Sequence, residues 1–548
     1  MKRFILSTLA LSICASTQVA SEPAQIWEKD KEYKITILHT NDNHGAFWKN
    51  KYGERGMAAR ATLVKQIRSE VQAQGGSVLL LSAGDINTGA PESDLLDAKP
   101  DIIGMNLMDY DLMTVGNHEF DNPLEVLQQQ EEWADFPFIA ANVYKDGKRL
   151  FQPYLMMNKN GVKIAIVGLT TEDTAKLGNP EYVAGIEFTD PRAEMEKIIA
   201  ELEKSEKPDV VIASTHLGHY ADGKHGSNAP GDVALARTFG GEKIDLIVSG
   251  HSHDAVCMEN GKQSESYLET GVCVPDEQNG TTIVQALDQG KYLGRADYTF
   301  KNGEFELDAY KLIPVNMKKK VKDAEGKKVR VFIDKEIPED PAVLAALQEF
   351  QEQGQAALNV KVGSVNQELV GERSIVRNNQ TNLGRMIATT HMQRTKADFA
   401  IMNSGGVRAS IQPGDISYKD ILTVQPFGNT VTLVDMTGTE VMDYLSVVAT
   451  KQKDSGAYPQ FAGISMTIAG DKVSEITIGG KALDPEQTYR FSIPSYNAGG
   501  GDGYPVINTH PAFVDTGYVD AEVLKEFIQT NSPVDAGQFT PNNEITHQ

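Results

Sequence analysis

Five short groups of aspartate, asparagine and histidine stand out because their side chains are typical metal ligands. In chain order they are Asp42-Asn43-His44, Gly84-Asp85, Gly116-Asn117-His118-Glu119, His216, and Gly250-His251-Ser252-His253. Carboxylate and imidazole groups suit Zn²⁺, Mn²⁺ and similar divalent ions. Each group alone has an ordinary explanation as a hydrogen-bonded strand end. Together, in this order, they predict a metal centre.

Such a ligand set is suited to phosphoryl chemistry. Two ions about 4 Å apart, sharing a bridging carboxylate, lower the pKa of a bound water and neutralise charge on phosphoryl oxygens. We therefore expect two divalent metal ions, drawn from Zn²⁺, Mn²⁺, Co²⁺ and Mg²⁺. Water would then attack phosphorus, and no nucleophile from the protein is required.

Nearly every group directly follows a short aliphatic run, which is typical of a buried strand. Amphipathic stretches such as 58–72 and 192–203 separate the runs and predict helices, so the fold class is α/β. Ligands of α/β sheets bind beyond the carboxyl ends of the strands, so the groups should meet in one site. The runs are 35–38, 78–81, 112–115, 164–167, 210–213 and 246–248.

The pattern changes after residue 310, which predicts two domains and a connector. A chain of 548 residues exceeds what one hydrophobic core normally organises. A charged segment leads to a helix that Asp340 would cap and Pro341 would begin. We assign residues 1–21 to a signal peptide, 32–335 to the first domain, 336–359 to a linker helix and 360–548 to a second α/β domain.

The first residues have the layout of an export signal. Lys2 and Arg3 precede an apolar stretch and then small residues. A frayed helix of a cytosolic protein is the alternative, and we expect a periplasmic or secreted protein. The stretch is too short to span a membrane, and no later run approaches the roughly eighteen apolar residues that would. Lipid anchoring through Cys14 is not expected, because Ile13 stands where a lipobox has a small residue.

Without the signal peptide, the remaining cysteines are Cys257 and Cys273. Two cysteines close in sequence, in an oxidising compartment, predict a disulfide worth about 3 kcal/mol in the chain-entropy model. A zinc thiolate pair is the alternative. The lack of Cys-x-x-Cys spacing disfavours it.

The second domain offers cations that could bind a phosphate. Arg373 and Arg377 are four residues apart and therefore share a face of a strand or helix. Arg408 follows a glycine turn. Three converging guanidiniums would hold phosphate oxygens in bidentate fashion. Ordinary surface arginines are the alternative.

The same domain offers groups that could bind a nucleoside. Phe427 and Tyr496 could stack on a base. Asp502, within a glycine-rich turn, could accept hydrogen bonds from ribose hydroxyls. The alternative is that the rings belong to the core and the turn is only a turn.

The order of the metal-type groups is similar to that of the calcineurin-like metallophosphoesterases. The run Gly116-Asn117-His118-Glu119-Phe120-Asp121-Asn122-Pro123 resembles their 5′-nucleotidase branch, close to the periplasmic bifunctional UDP-sugar hydrolase/5′-nucleotidases. The resemblance implies an N-terminal β-sandwich flanked by helices and a C-terminal α/β substrate domain. It implies one metal held by Asp42, His44, Asp85 and His253. It implies a second metal held by Asp85, Asn117, His216 and His251, with Asp85 bridging.

Two positions in this resemblance need comment. The family can carry glutamine where this chain has His253, a difference that bears on metal preference. His118 is implied to be catalytic rather than a ligand, stabilising the transition state or protonating the leaving oxygen. Asp121 would orient its ring and hold its proton. Asp121 could also begin the helix that follows, and the two roles are compatible.

The resemblance extends to the second domain, in segments 373–377, 404–408, 425–429, 455–461 and 495–504. It implies the following roles: phosphate or similar anions bound by Arg373, Arg377 and Arg408, base stacking by Phe427 and Tyr496, base-edge contacts by Asn429 and Gly456, and ribose binding by Asp502. The family often has phenylalanine at the position of Tyr496. Catalytic and substrate residues then lie on different domains, so a domain rotation is expected to carry substrate to the metals.

We therefore expect a hydrolase that releases phosphate from nucleoside 5′-monophosphates, with UDP-sugars and nucleoside di- and triphosphates as further candidate substrates. A 2′,3′-cyclic-nucleotide 2′-phosphodiesterase/3′-nucleotidase shares the metal motifs and is one alternative. An inactive nucleotide-binding surface protein is another, which the intact ligand set disfavours. The net charge of −23 disfavours a nucleic-acid polymer or an anionic membrane as the main partner. We expect a monomer whose partners are nucleotides.

Overall fold

The computed structural model describes residues 26–547 except 178–181, 226–227, 266, 268–272 and 324–325. The predicted signal peptide, with Cys14, lies outside these residues. Within the described part of the chain, no helix combines the length and apolarity needed to cross a bilayer.

Two six-stranded sheets form the first domain. The first sheet consists, in spatial order, of Glu304–Pro314, Tyr292–Lys301, Tyr33–Thr40, Ser77–Ser82, Leu112–Thr114 and Phe138–Ile139. The second consists of Asp276–Gln278, Thr281–Val284, Leu246–Val248, Val210–His216, Val162–Thr170 and Tyr154–Lys159. The last four strands given for the first sheet are parallel to one another, as are the four inner strands of the second, and all six predicted runs are strands.

The two sheets pack face to face because side chains alternate across each strand. Ile35 and Leu79 of the first sheet share one buried cluster with Ile164 and Ile212 of the second. The intervening Leu38 faces the opposite side, where it joins a different cluster. Burial on both faces explains why these strands appear in the sequence as continuous aliphatic runs.

Helices cover the outer faces of this sandwich. Met57–Ala73 packs on the first sheet, and Pro191–Lys204 and Asp232–Phe239 pack on the second. The shorter helices are Pro91–Asp94, Lys99–Asn106, Leu124–Trp133 and Thr174–Leu177. A β-sandwich flanked by helices is the first-domain fold that the sequence analysis expected.

The connector differs in detail from its expected form. The charged segment after residue 317 forms a separate hairpin of strands Lys318–Lys322 and Lys328–Phe332. Asp340 then caps helix Pro341–Leu358, accepting hydrogen bonds from the backbone nitrogens of Ala342 and Val343 at 3.0 and 3.1 Å. Helix residues Val343 and Leu347 belong to the core of the first domain, so the linker helix is anchored there.

The second domain is also α/β. Its main sheet consists, in spatial order, of Pro459–Ala462, Phe399–Asn403, Thr488–Pro494, Thr430–Thr437 and Phe513–Val519. A smaller sheet consists of Lys481–Ala482, Lys472–Ile478, Ile464–Ala469 and Ile545–His547. The longer helices are Asn382–Thr395, Gly438–Val448 and Asp520–Asn531.

A disulfide joins Cys257 to Cys273, sixteen residues apart in sequence, as predicted. Both half-cystines are buried in the core between the two sheets. The disulfide therefore fixes the segment that follows His251 and His253 to the core of the sandwich.

Candidate metal centre and substrate cavity

Loops at the carboxyl ends of five strands bring the predicted ligands together. Asp42 and His44 follow Tyr33–Thr40, Asp85 follows Ser77–Ser82, and Asn117 follows Leu112–Thr114. His216 ends its strand, and His251 and His253 follow Leu246–Val248. Three overlapping groups have ligand atoms within 4.8 Å of one another: Asp42–His44–His253, His44–Asp85–His118 and Asp42–Asp85–His216.

The backbone is strained at five of these positions. Asp42, His44, Asp85, His251 and His253 all have φ between 49° and 80°. Non-glycine residues rarely adopt this conformation, which costs about 1–3 kcal/mol and persists only where surrounding structure enforces it. Its repetition at the converging side chains indicates that the loops are shaped for binding rather than for stability.

On one side of the centre, the Nε2 atoms of two imidazole rings, those of His44 and His253, face each other. His44 Nδ1 lies 2.9 Å from the carbonyl oxygen of Thr88 and must donate to it, which leaves a lone pair on Nε2. That Nε2 lies 3.1 Å from His253 Nε2, which in turn is 3.4 Å from Asp42 Oδ1. Converging lone pairs and a carboxylate are the arrangement that a cation stabilises.

On the other side of the centre, a backbone carbonyl orients a histidine ring in the same way. His216 Nδ1 donates to the carbonyl oxygen of Ala83 at 2.7 Å, so its Nε2 lone pair faces Asp85 Oδ2 at 3.0 Å and Asn117 Oδ1 at 3.2 Å. Asn117 Oδ1 also lies 2.8 Å from His251 Nδ1. Asp85 therefore lies between the two sides, close to His216 on this one and to His44 on the other.

The electrostatics agree with a bound cation. Burial opposes ionisation of Asp42, yet His253 and His216 hold its pKa at about 2. Burial lowers the pKa of His216, but Asp85 outweighs it and raises that pKa to about 10. The carboxylates thus demand positive charge beside them, and a divalent ion can supply it in place of the proton. The donor set of carboxylates, imidazoles and one amide fits divalent metal ions.

His118 lies beside this centre. Its backbone nitrogen donates to Asp85 Oδ1 at 2.9 Å, and its Nδ1 donates to Asp121 Oδ2 at 2.6 Å. Burial lowers the pKa of His118, but Asp121 and Asp85 outweigh it and raise the pKa to about 9. The ring is therefore held as an imidazolium between the metal ligands and the cavity described below.

Two supporting residues escaped the sequence analysis. Glu119 is buried and accepts hydrogen bonds from the backbone nitrogens of Asp85 at 3.0 Å and Gly116 at 2.6 Å, tying two ligand loops together. Arg60, also buried, donates to Asn43 Oδ1 at 2.9 Å, and Asn43 lies in sequence between the candidate ligands Asp42 and His44. The signal for Glu119 was present, since a carboxylate stands inside the Gly-Asn-His-Glu run. Arg60 has no comparable signal.

A cavity of about 520 Å³ opens between the two domains beside the metal centre. From the first domain it is lined by Asp85, Asn117, His118, Asp121, His251 and His253, among others. All eight substrate-binding candidates line it from the second domain: Arg373, Arg377, Arg408, Phe427, Asn429, Gly456, Tyr496 and Asp502. Asp42, His44 and His216 lie behind this wall, buried. Further lining residues that the sequence analysis did not name include Tyr220 and Asn403.

The three arginines face the cavity without carboxylate partners. Arg373 begins the short helix Arg373–Val376 and Arg377 directly follows it, so one turn brings both to the same side. Among the described residues, none of the three guanidiniums forms an ion pair. Burial, with repulsion from Arg373 and Arg408, lowers the pKa of Arg377 to about 9. Such a cluster is stabilised by an anion in the cavity.

The predicted nucleoside-binding residues line the same cavity. Phe427 stacks 6.1 Å from the His118 ring and lies under the Arg408 guanidinium at 5.5 Å. Tyr496 and Asp502 are hydrogen-bonded to each other. Burial raises the pKa of Asp502, although hydrogen bonds from Asn403 and Tyr496 favour its carboxylate form.

The expected domain rotation is not needed to bring the two sets together in this conformation. Glu92 of the first domain forms an ion pair with Lys419 of the second, and helix Thr174–Leu177 contacts the turn Gly501–Gly503. In this conformation the candidate substrate residues and the candidate metal ligands therefore face each other across the cavity.

Comparison with known proteins agrees with this architecture. Residues 35–255 match the calcineurin-like phosphoesterase family model, and residues 361–509 match that of the 5′-nucleotidase C-terminal domain. A 5′-nucleotidase of Vibrio cholerae is 61% identical over 546 residues, covering 99% of each chain. Protein UshA of Escherichia coli K12 is 54% identical over 544 residues, covering 98% of this chain and 99% of its own.

Among solved structures, a 5′-nucleotidase precursor from Thermus thermophilus has a similar fold. Its TM-score is 0.75 at 27% identity, covering 94% of this chain and 99% of that one. The family models and full-length relatives agree with the two-domain fold. The chain belongs to the 5′-nucleotidase family of calcineurin-like metallophosphoesterases.

Proposed function

We propose that the protein is a two-metal hydrolase that releases phosphate from nucleoside 5′-monophosphates. The observation that carries this proposal is the cavity that joins the candidate metal ligands to two aromatic rings and to three arginines, none of which forms an ion pair within the described part of the chain. An anionic group bound by the arginines would lie beside the metal centre. A base could then reach Phe427 and Tyr496.

The ligands divide into two sets that share one carboxylate. Asp42, His44, Asp85 and His253 would hold one ion, and Asp85, Asn117, His216 and His251 the other. Bound divalent ions would supply an activated water and charge neutralisation for the phosphoryl group. Hydrogen bonds from His44 and His216 to backbone carbonyls orient these rings with Nε2 toward the centre.

His118 would serve the leaving group. Asp121 keeps the ring protonated through Nδ1, so Nε2 can donate a proton to the departing ribose oxygen or stabilise its charge. Arg373, Arg377 and Arg408 would orient the phosphate. Phe427 and Tyr496 would stack on the base, and Asn429, Gly456 and Asp502 would bind the base edge and the ribose.

The test is phosphate release by the mature chain, stripped of metal and resupplied with Mn²⁺, Zn²⁺, Co²⁺ or Mg²⁺. AMP, UDP-glucose and 2′,3′-cyclic AMP are compared, with His118→Ala as the catalytic control. We expect metal-restored AMP hydrolysis that falls by about 10²–10⁴-fold in the variant. Hydrolysis of the cyclic substrate alone would instead identify a cyclic phosphodiesterase, and silence on all three would leave a binding protein.

Cleavage of UDP-sugars is a further candidate activity. The family resemblance implies this activity, and the cavity is large enough to extend beyond one phosphate. Release of glucose-1-phosphate from UDP-glucose, detected alongside the AMP assay, would establish it. Unchanged UDP-glucose under conditions that hydrolyse AMP would exclude it.

Export and a monomeric state complete the proposal. The N-terminal sequence of the protein recovered from the periplasm or medium would identify the cleavage point near residue 21. A protein retained in the cytoplasm with an intact N-terminus would contradict export. Light scattering of the purified chain would determine its oligomeric state.

A further inference from the structure

One loop carries a candidate ligand for each of the two proposed metal ions. It runs from residue 249 to 254, directly after strand Leu246–Val248, and contains His251 and His253. Both histidines have left-handed backbone conformations, with φ of 80° and 61°. Residues with side chains rarely adopt this conformation, which persists only where surrounding contacts enforce it. The loop therefore needs attachments that keep both rings directed at the metal centre.

The loop packs tightly on one side and faces open space on the other. At Gly250 an added Cβ would lie 2.8 Å from His216 Nδ1, so the loop passes directly over another candidate ligand. The backbone nitrogen of His251 donates to Asp42 Oδ2 at 3.0 Å. On the opposite side, His251 and His253 line the cavity between the domains. A loop that relaxed from its strained conformation would therefore move toward the cavity, away from the other ligands.

The side chain of Gln285 holds this loop at four residues. Gln285 follows the neighbouring parallel strand of the second sheet and is fully buried. Its Nε2 donates to Ser249 Oγ at 2.7 Å and to the carbonyl oxygen of Gly250 at 3.1 Å. Its Oε1 accepts from the backbone nitrogen of Asp254 at 2.5 Å and from the Ser252 hydroxyl at 3.2 Å. One amide thus binds the loop before, between and after its two histidines.

These contacts use the whole hydrogen-bonding capacity of the Gln285 amide. A carboxamide has two N–H donors and one oxygen with two lone pairs, and the loop takes all four. Because the group is buried, removing the amide leaves polar groups of the loop without partners, which is costly in free energy. The loop would then have to move to satisfy them, and the two histidines would move with it.

The same network reaches a third histidine through Ser249. The Ser249 hydroxyl donates to Asp232 Oδ2, and Thr215 Oγ1 donates to Asp232 Oδ1 at 2.6 Å. Asp232 is buried, and Thr215 immediately precedes His216. The hydrogen-bonded chain from Gln285 therefore connects the loop to the strand end that carries His216.

We propose that Gln285 is a positioning residue that holds His251 and His253 in their left-handed conformations, so that one side chain preorganises a ligand of each metal ion. Gln285 acts through the loop and is not among the candidate ligands. The inference rests on the two-metal centre of the proposed function. It predicts that loss of Gln285 weakens the binding of both ions together.

The test is a titration of the metal-stripped wild type and Gln285→Met with Co²⁺. Calorimetry gives the affinities, and the visible absorption of the bound ion reports the geometry of its ligands. We expect the wild type to bind two ions and both Kd values to rise by about 10–100-fold in the variant, the range for groups that orient metal ligands. The absorption of the loaded variant should also differ, because both imidazoles are displaced.

Ser252→Ala is a milder second variant. It removes one contact between the loop and Gln285 at a residue that lines the cavity. We expect it to weaken both ions in the same direction by a smaller factor. If Gln285→Met does not fold, Ser252→Ala decides the question alone.

Gln460→Met is the matched control. Gln460 is a fully buried glutamine of the second domain, and its Nε2 donates to the carbonyl oxygens of Val376 and Asn379 at 2.8 and 2.9 Å. Its loss should lower the unfolding temperature and leave both Co²⁺ affinities and the absorption unchanged. All titrations are made where circular dichroism shows each metal-free protein to be folded.

Unchanged Co²⁺ affinities in folded Gln285→Met and Ser252→Ala would overturn the inference, as would weakening of one ion alone. Both results leave the proposed hydrolase function intact. A wild type that binds two Co²⁺ ions without hydrolysing AMP would overturn the proposed function and not the role of Gln285. A wild type that binds no Co²⁺ would overturn the metal centre on which both depend.

Discussion

His118 and Asp121 form the shortest charged contact beside the metal ligands, at 2.6 Å between Nδ1 and Oδ2. The contact spans one short turn, His118–Phe120, and Asp121 directly after it, so local sequence is sufficient to form it. What local sequence does not provide is the environment. Burial alone would lower the pKa of His118 and favour the neutral ring, and the carboxylates of Asp121 and Asp85 reverse that effect.

Removing the Asp121 charge should narrow the pH range of the enzyme. The pKa of His118 is raised from 6.5 to about 9, so the protonated ring persists until pH approaches 9 and is lost above it. In Asp121→Asn the pKa falls, and the alkaline decline of kcat for AMP should move toward neutral pH. A pH profile of kcat with Mn²⁺ saturating measures the shift.

Asp135→Asn is the control for this experiment. Asp135 is exposed in the same domain, and its substitution should leave the profile unchanged. An alkaline limb at the same pH in Asp121→Asn and wild type would rule out Asp121 as the group that holds the proton.

Glu119 should matter for metal affinity although it is not among the candidate ligands. Its carboxylate binds the backbone nitrogens of Asp85 and Gly116, and groups that orient metal ligands typically contribute about 10–100-fold in affinity. In Glu119→Gln one acceptor oxygen becomes an amide NH2, which must face backbone nitrogens at one end of the group, either those of Asp85 and Gly116 or that of Ile86. We expect Mn²⁺ binding, measured by calorimetry on the stripped protein, to weaken by about that factor.

Glu125→Gln is the matched control, because Glu125 is exposed on the next helix. It should bind Mn²⁺ as the wild type does. If Glu119→Gln also binds normally at the temperature where it is fully folded, the buried carboxylate serves stability alone.

At the scale of elements, the sheets supply the ligand positions and glycines allow the loops to approach. Strands Ser77–Ser82 and Leu112–Thr114 are parallel neighbours, so their following loops emerge side by side. At Gly116 an added Cβ would lie 2.2 Å from Asp85 Oδ1 and 2.9 Å from its backbone nitrogen. A side chain there must displace the Asp85 carboxylate.

Gly116→Ala should therefore reduce metal binding and turnover together. We expect kcat for AMP to fall at least about 100-fold, since a misplacement near 1 Å is enough for that loss. Gly456→Ala is the contrast: its Cβ would meet Gly405 Cα at 3.3 Å, in the substrate cavity. It should raise KM and leave metal content unchanged. Full metal content and turnover in Gly116→Ala would contradict the steric argument.

At the scale of the whole molecule, the central question is whether the domains must separate during turnover. The cavity is lined by both domains, and Glu92 and Lys419 form an ion pair across the boundary. Substrate entry and product release past both walls favour an opening motion. The rotation remains a prediction of the family resemblance.

Joining the domains chemically tests the rotation. Glu92→Cys and Lys419→Cys, linked by a short bifunctional thiol reagent, should lower kcat for AMP at least about tenfold with metal content unchanged, because release would become limiting. Each single-cysteine variant treated with the reagent controls for local damage. Full turnover by the linked protein would show that the enzyme works without separating its domains.

Much of the first domain follows from its sequence because its signals are local. Apolar runs such as 164–167 and 246–248 became strands, and the predicted helix at 192–203 became Pro191–Lys204. The strands of the charged segment were not predicted from the sequence. Its lysines hide the alternation of apolar and polar residues that would indicate strands Lys318–Lys322 and Lys328–Phe332, and no apolar face indicates that the two strands pair.

The sequence by itself determined the α/β class, the order of the candidate ligands and the predicted disulfide. These depend on residue types at strand ends and on two cysteines, which are readable without knowing what lies nearby. Only the tertiary structure decided that Glu119 and Arg60 support the ligand loops, and that Asn403 and Tyr496 hold Asp502. Only it decided that both sets of candidates face one cavity. The physical reason is that such hydrogen bonds join segments distant in sequence. Their loss costs free energy mainly because the groups that they join are buried.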